Sequence, residues 1–154
     1  MKRNPVKFPA MPLMIIYALL ATSITALADS SDLRCSNRTI SGDYAWPAQG
    51  LVITGPPQPL PFTSVGIANF DGNGKLSWVE HTVIGGQVQG SEWVEATGTY
   101  TVNADCTGTA VVTTPNSQVP LHFSLAISKQ SREVRTTVDG HSIVAVFTKV
   151  EDWR

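Results

Sequence analysis

The sequence predicts an all-β chain, an antiparallel barrel of about eight strands, with a two-sheet sandwich as the alternative. Three observations carry this expectation. Nearly every segment after Ser41 alternates apolar and polar residues with a period of two, the signature of half-buried strands. Short clusters of Gly, Asn, Asp and Pro separate those segments, and no convincing helical periodicity interrupts them. Hairpin follows hairpin, a meander order that favours a barrel, because closure removes exposed strand edges.

The first strands are expected at 42–46 (GDYAW) and 50–54 (GLVIT), ahead of a proline-rich stretch, GPPQPLP, at 55–61. Proline removes ladder donors and fixes φ, so that stretch reads as a stiff loop at a sheet end. Residues 62–84 form the clearest hairpin, turning at Asp71-Gly72-Asn73-Gly74, where glycine and asparagine tolerate the positive φ of a tight turn. DGNG has too few carboxylates for a calcium loop. A second hairpin runs over 91–102 and 106–114, turning at Asn103–Asp105. Residues 119–129 then alternate, with Leu121, Phe123, Leu125 and Ile127 on one face and His122, Ser124 and Ala126 on the other. Strands at 133–138 and 141–150 flank Asp139-Gly140.

Four domain segments are expected: a signal peptide over 1–28, an N-terminal segment at 29–40, the barrel at 41–150 and a tail at 151–154. Lys2, Arg3 and Lys7 precede an apolar run from Met11 to Ala21, and Ala26-Leu27-Ala28 supplies small residues before a cleavage point at Asp29. That run is short for a spanning helix, which needs about 20 residues. The expectation is an exported protein, periplasmic or extracellular, with no stable membrane insertion after cleavage. Removing 1–28 from 154 residues leaves 126, and 8 Lys+Arg against 12 Asp+Glu, a formal charge of −4. With no basic stretch, nucleic acid is excluded as an expected partner.

Export bears directly on Cys35 and Cys106, the only cysteines. In an oxidising compartment two cysteines are expected to pair. Closing a loop of roughly 70 residues corresponds to about 4 kcal/mol of stabilisation in the chain-entropy model. The bridge would staple the N-terminal segment to the sheet near one hairpin.

Catalytic signatures are sparse. His81, His122 and His141 are far apart in the chain and no CxxC or HxH spacing occurs, so neither a metal site nor a cofactor is expected. His122 and His141 read as outward. No phosphate-binding glycine loop and no GxSxG element occurs. Glu80 shares parity with Leu76, Trp78 and Ile84, which makes it the one acid/base candidate, although a rim or surface position is the ordinary fate of a glutamate. Glu92 shares the inward parity of Val94 and is expected at the mouth of the interior. The tryptophans Trp46, Trp78, Trp93 and Trp153 read mainly as core residues. Glu133 and Arg135 look like a surface pair. Asn37-Arg38-Thr39 fits a glycosylation sequon.

The segments SGDYAW, ANFDGNGKLSW, GTYTVNADCTGTA and DGHSIVAVFTK together resemble a group of small exported bacterial β-barrel proteins of unknown function, which share an FDGxG and a GTYxVxxDCTG motif. The resemblance spans 35–149. In layout such proteins are similar to the allene oxide cyclase and dirigent type of eight-stranded, calycin-like barrel. That likeness implies an interior able to hold a small apolar molecule, sometimes steering a cyclisation, but no cyclase catalytic residue matches a position here. The functional expectation is a non-catalytic barrel that binds a small apolar ligand through residues such as Trp78, Tyr100, Phe123 and Leu125. Two alternatives stay open: a cyclase or isomerase using Glu80 inside the barrel, and a surface or adhesion module.

Overall fold

A computed structural model describes residues 34–53, 58–128 and 130–150; the leader, Trp153 and the rest of the tail lie outside them. The described residues are all-β apart from one 3-10 turn, Asn37–Ile40. Strands β1 (Gly42–Val52), β2 (Leu60–Phe70), β3 (Lys75–Ile84), β5 (Val94–Val102), β6 (Thr107–Thr113), β7 (Leu121–Ile127), β8 (Glu133–Val138) and β9 (Ser142–Lys149) pair antiparallel with their neighbours, and β1 pairs β9 to close the barrel. A two-residue strand β4 (Gln87–Val88) folds back on the end of β3 through Gly85 and Gly86, both at positive φ. No helix of the described residues is long and apolar enough to cross a membrane.

Strict alternation makes the barrel. Along β3 the pattern buries Leu76, Trp78, Glu80 and Thr82 and exposes Lys75, Ser77 and Val79. One expectation changes here. The segments expected at 42–46 and 50–54 merge into a single strand, β1 (Gly42–Val52), that runs through Pro47. The ladder to β2 is unbroken, whereas the ladder to β9 lapses at Trp46 and Pro47, where proline has no N–H to give. β2 likewise starts at Leu60, taking the last proline of the loop, Pro61, into the sheet opposite Leu51.

The two barrel ends differ. At one end the N-terminal segment forms a plug. Cys35 is bridged to Cys106, Cys35 N–H donates to the Ala104 carbonyl (3.2 Å), and Ile40 is fully buried. Asn37 Oδ1 accepts from Val102 N–H (2.8 Å), and the Tyr100 hydroxyl donates to the Asn37 carbonyl (3.2 Å) while accepting from Gly72 N–H (2.9 Å). The sequon asparagine is thus built into the plug, its amide nitrogen 3.1 Å from where a Cβ on Gly74 would stand. An aromatic column leads inward from Tyr100 through Phe70 and Phe147 to Trp46, Trp78 and Phe123, with ring centroids 5.1–6.0 Å apart.

Candidate functional site

The aromatic column ends in a cavity of about 120 Å³ at the other end of the barrel. Trp46, Trp78, Phe123 and Phe147 line it together with Ala48, Ala145 and Ile143, and Val52, Phe62, Ile84 and Leu121 join them toward the strand ends. The two indoles fit because β2, the strand between them, is small on its inner face: a Cβ at Gly66, which pairs with Trp46, would stand 2.7 Å from the Trp46 indole and 2.4 Å from the Val79 carbonyl.

Glu80 is the one carboxylate of the lining, and the structure buries it at 6% exposure. Parity on β3 directs it inward, and two residues beyond β6 meet it. Thr114 Oγ1 donates to Oε1 at 2.9 Å, and Asn116 Nδ2 donates to the same oxygen at 3.3 Å. Burial pushes the Glu80 carboxyl above the usual range, and the neighbouring Thr114, Asn116, Thr82 and Trp78 side chains hold it down in part. Among the described residues the Trp78 indole N–H nonetheless meets no acceptor at hydrogen-bond geometry, and nor does that of Trp46. Ser64 Oγ and Thr82 Oγ1, 2.8 Å apart, form a separate buried pair across β2 and β3.

His141 also lines the cavity, half-buried rather than outward as expected, because the β8–β9 turn leans over the barrel end. Its Nδ1 accepts from Ile53 N–H at 3.1 Å, which requires a lone pair on that nitrogen and ties the chain beyond β1 to this turn. His81 lies on the outer face, its Nδ1 2.6 Å from the Glu92 carbonyl, so this nitrogen carries the proton. Glu92 is exposed and outside the mouth: β5 begins only at Val94, and alternation does not extend back to it. Trp93 is 53% exposed beside His81, not core. His122 is exposed, and Glu133 and Arg135 form a solvent-facing pair at 3.3 Å.

Of the four residues expected to face a ligand, Trp78 and Phe123 line the cavity. Tyr100 belongs to the plug, and Leu125 is buried elsewhere in the core. Trp46 and Phe147, which complete the aromatic wall, had the same inward parity and were open to the same reasoning. Thr114 and Asn116 were not, because they sit past the strand end, where alternation is silent. No three His, Cys, Asp or Glu side chains among the described residues converge to hold a metal ion.

Fold and cavity together define an antiparallel β-barrel plugged at one end and hollow at the other. Comparisons with family models, curated proteins and solved structures return no match for this chain.

Proposed function

We propose that this barrel binds one small, mainly apolar molecule in the cavity beside Glu80. The observation that carries this reading is the composition of the wall, the five rings of Trp46, Phe62, Trp78, Phe123 and Phe147 and several aliphatic side chains around a single buried carboxyl. Apolar enclosures with a few placed polar groups are the usual form of small-molecule sites. The volume sets the size. About 120 Å³ is close to the roughly 150 Å³ cavity that accommodates benzene and well below the several hundred Å³ of a drug-sized pocket. A single ring fits; a long lipid chain does not.

An exported setting agrees with this role, and the disulfide is compatible with export. The resemblance to small exported bacterial barrels points the same way. The competing reading, an isomerase or cyclase, draws on the burial of Glu80, whose carboxyl is held toward its protonated form.

Native mass spectrometry of protein isolated from its own producing cells tests the proposal. A co-purifying molecule of single-ring size supports it. A bare mass, combined with no effect of small aromatic probes on tryptophan fluorescence, overturns it. Conversion of a co-purified molecule on the protein, abolished in Glu80→Gln, would replace the binder with the enzyme.

A further inference from the structure

We propose that the outer face of β1, β2 and β3 is the contact surface of a two-fold dimer, its occupant a second copy of this chain. The barrel exterior is divided into two kinds of surface. Leu51, Val65, Ile67, Val79, Trp93 and Val144 are each between 36% and 53% exposed, and all lie on or beside these three strands. Along β5 to β8 the outward positions carry mainly hydroxyl groups, among them Thr97, Thr99, Thr101, Thr109, Ser124 and Thr137, and no large apolar side chain of those four strands is exposed. Register makes the apolar residues neighbours. Ala45, Ile67 and Val79 stand side by side across the three strands, and Pro47, Val65 and His81 form the next row. Trp93 extends that row, its ring 6.0 Å from the imidazole of His81.

A sheet with one face in water ordinarily alternates apolar inward and polar outward, and a contiguous apolar outer patch marks an interaction site. Size and charge identify the occupant. Three strands about 4.8 Å apart, each with about nine residues rising roughly 3.3 Å, give a footprint of roughly 15 by 30 Å. Doubled, and with side-chain relief and the flanking Trp93 and Val144 added, this is of the order of the roughly 1,200 Å² total at which specific interfaces begin. An isologous contact sets a surface against itself, so a charge at its centre would face its own kind. The rows through Ile67 and Val65 carry no Asp, Glu, Lys or Arg on these strands; Asp43 and Lys75 lie at the plug end and Glu95 on the β5 border. With acidic groups on that border, the face lacks the clustered cations that hold a protein to an anionic bilayer.

Sedimentation equilibrium of the oxidised protein, isolated from its producing cells, tests the proposal. The expected result is twice the chain mass at micromolar concentrations and above, persisting in high salt because the contact is apolar. Ile67→Lys should weaken the dimer by at least about tenfold, since it brings an unpaired charge into a dry contact. Thr101→Lys, on the hydroxyl side of the barrel, should leave it unchanged. A monomer at every concentration overturns the proposal. So does a dimer that dissociates in high salt, or one that Thr101→Lys disrupts and Ile67→Lys does not. A monomer that floats with phosphatidylcholine vesicles assigns the face to a bilayer and overturns the second copy. Should Ile67→Lys fail to fold, Val65→Lys takes its place, and the wild-type mass across concentration and salt decides if both fail.

Discussion

The hydroxyl of Thr114 donates to the carboxylate of Glu80 across 2.9 Å, tying the inner face of β3 to the chain just past β6. This bond keeps a glutamate inside an aromatic barrel without an opposing cation. Its consequence for stability follows from the direction of the shift. Because burial raises the folded carboxyl above its ordinary value of 4.5, the native state holds the proton more tightly than the unfolded chain does. The contribution of this group is therefore full below the unfolded value and is lost as pH rises through the folded one. Glu80→Gln retains an acceptor for Thr114 and Asn116 but cannot ionise. It should unfold at a higher urea midpoint than wild type at pH 7, with the gap narrowing toward pH 4. A gap that widens on acidification would contradict this.

Cys106 occupies a position built for glycine. It follows the Asn103–Asp105 turn with φ +67°, where Asn103 and Thr107 close the hairpin through Asn103 N–H to Thr107 carbonyl at 2.8 Å. A three-residue hairpin loop commonly places glycine at this left-handed residue. The conformation costs a side chain about 1 kcal/mol, less than the roughly 4 kcal/mol that a bridge closing 71 residues supplies. Replacing both cysteines by alanine should lower stability by about 3–4 kcal/mol. In the Cys35→Ala background, Cys106→Gly should be about 1 kcal/mol more stable than Cys106→Ala. Chemical denaturation of the wild type and the two variants measures both differences.

Much of this fold is written in the alternation of the chain. The DGNG turn, the Asn103–Asp105 turn and the inward set of β3 follow from period two and turn chemistry, and the pairing of Cys35 with Cys106 was legible from their being the only two cysteines, read with an expectation of export. What alternation cannot convey is where it stops applying. Glu92 has inward parity but precedes the first paired residue of β5, so it is exposed. Asn116 and His141 reach the cavity from connections between strands, where no periodic rule assigns a direction. Glu80 illustrates the opposite limit. Its parity was legible, yet burial depended on Thr114 and Asn116, whose approach is set by the closed barrel and not by any local pattern.

Gly66 is the position most sensitive to a single methyl group. The clash there is with the Val79 carbonyl of the paired strand as well as with the Trp46 indole, so side-chain rotation alone cannot relieve it. Gly66→Ala should destabilise the barrel by about 3 kcal/mol or more, the upper end for overpacking a core. It should also shift tryptophan fluorescence, because Trp46 and Trp78 pack against each other at 5.4 Å. A thermal melt with fluorescence detection tests both, and an unchanged melting temperature would show that the strand can move apart there.

Tyr100→Phe removes a hydroxyl that bonds both the DGNG turn and the N-terminal plug. Gly72 N–H would lose its acceptor in a buried setting, which costs about 1–3 kcal/mol. Hydrogen exchange should localise the effect, with faster exchange at Gly72 and Val102 and little change at the cavity end. Uniform acceleration over the barrel would mean that the plug and the sheet unfold as one unit.

Tyr44 gives the clearest pH signature. Its ring is fully buried, its hydroxyl donates to the Ser131 carbonyl at 3.0 Å, and burial, with Tyr100 nearby, pushes its ionisation up from 10.0 to about 12. The unfolded chain would release that proton near pH 10. Ionisation therefore favours unfolding between the two values, so the stabilising contribution is complete below pH 10 and is lost as pH rises toward 12. Tyr44→Phe should be less stable than wild type at pH 7 by about 1 kcal/mol, for the lost hydrogen bond. Above pH 10 that deficit should shrink, because phenylalanine has no proton to lose. Urea titrations of both proteins at pH 7 and pH 11 measure the change, and a deficit that stays constant or grows would place Tyr44 in water in the native protein.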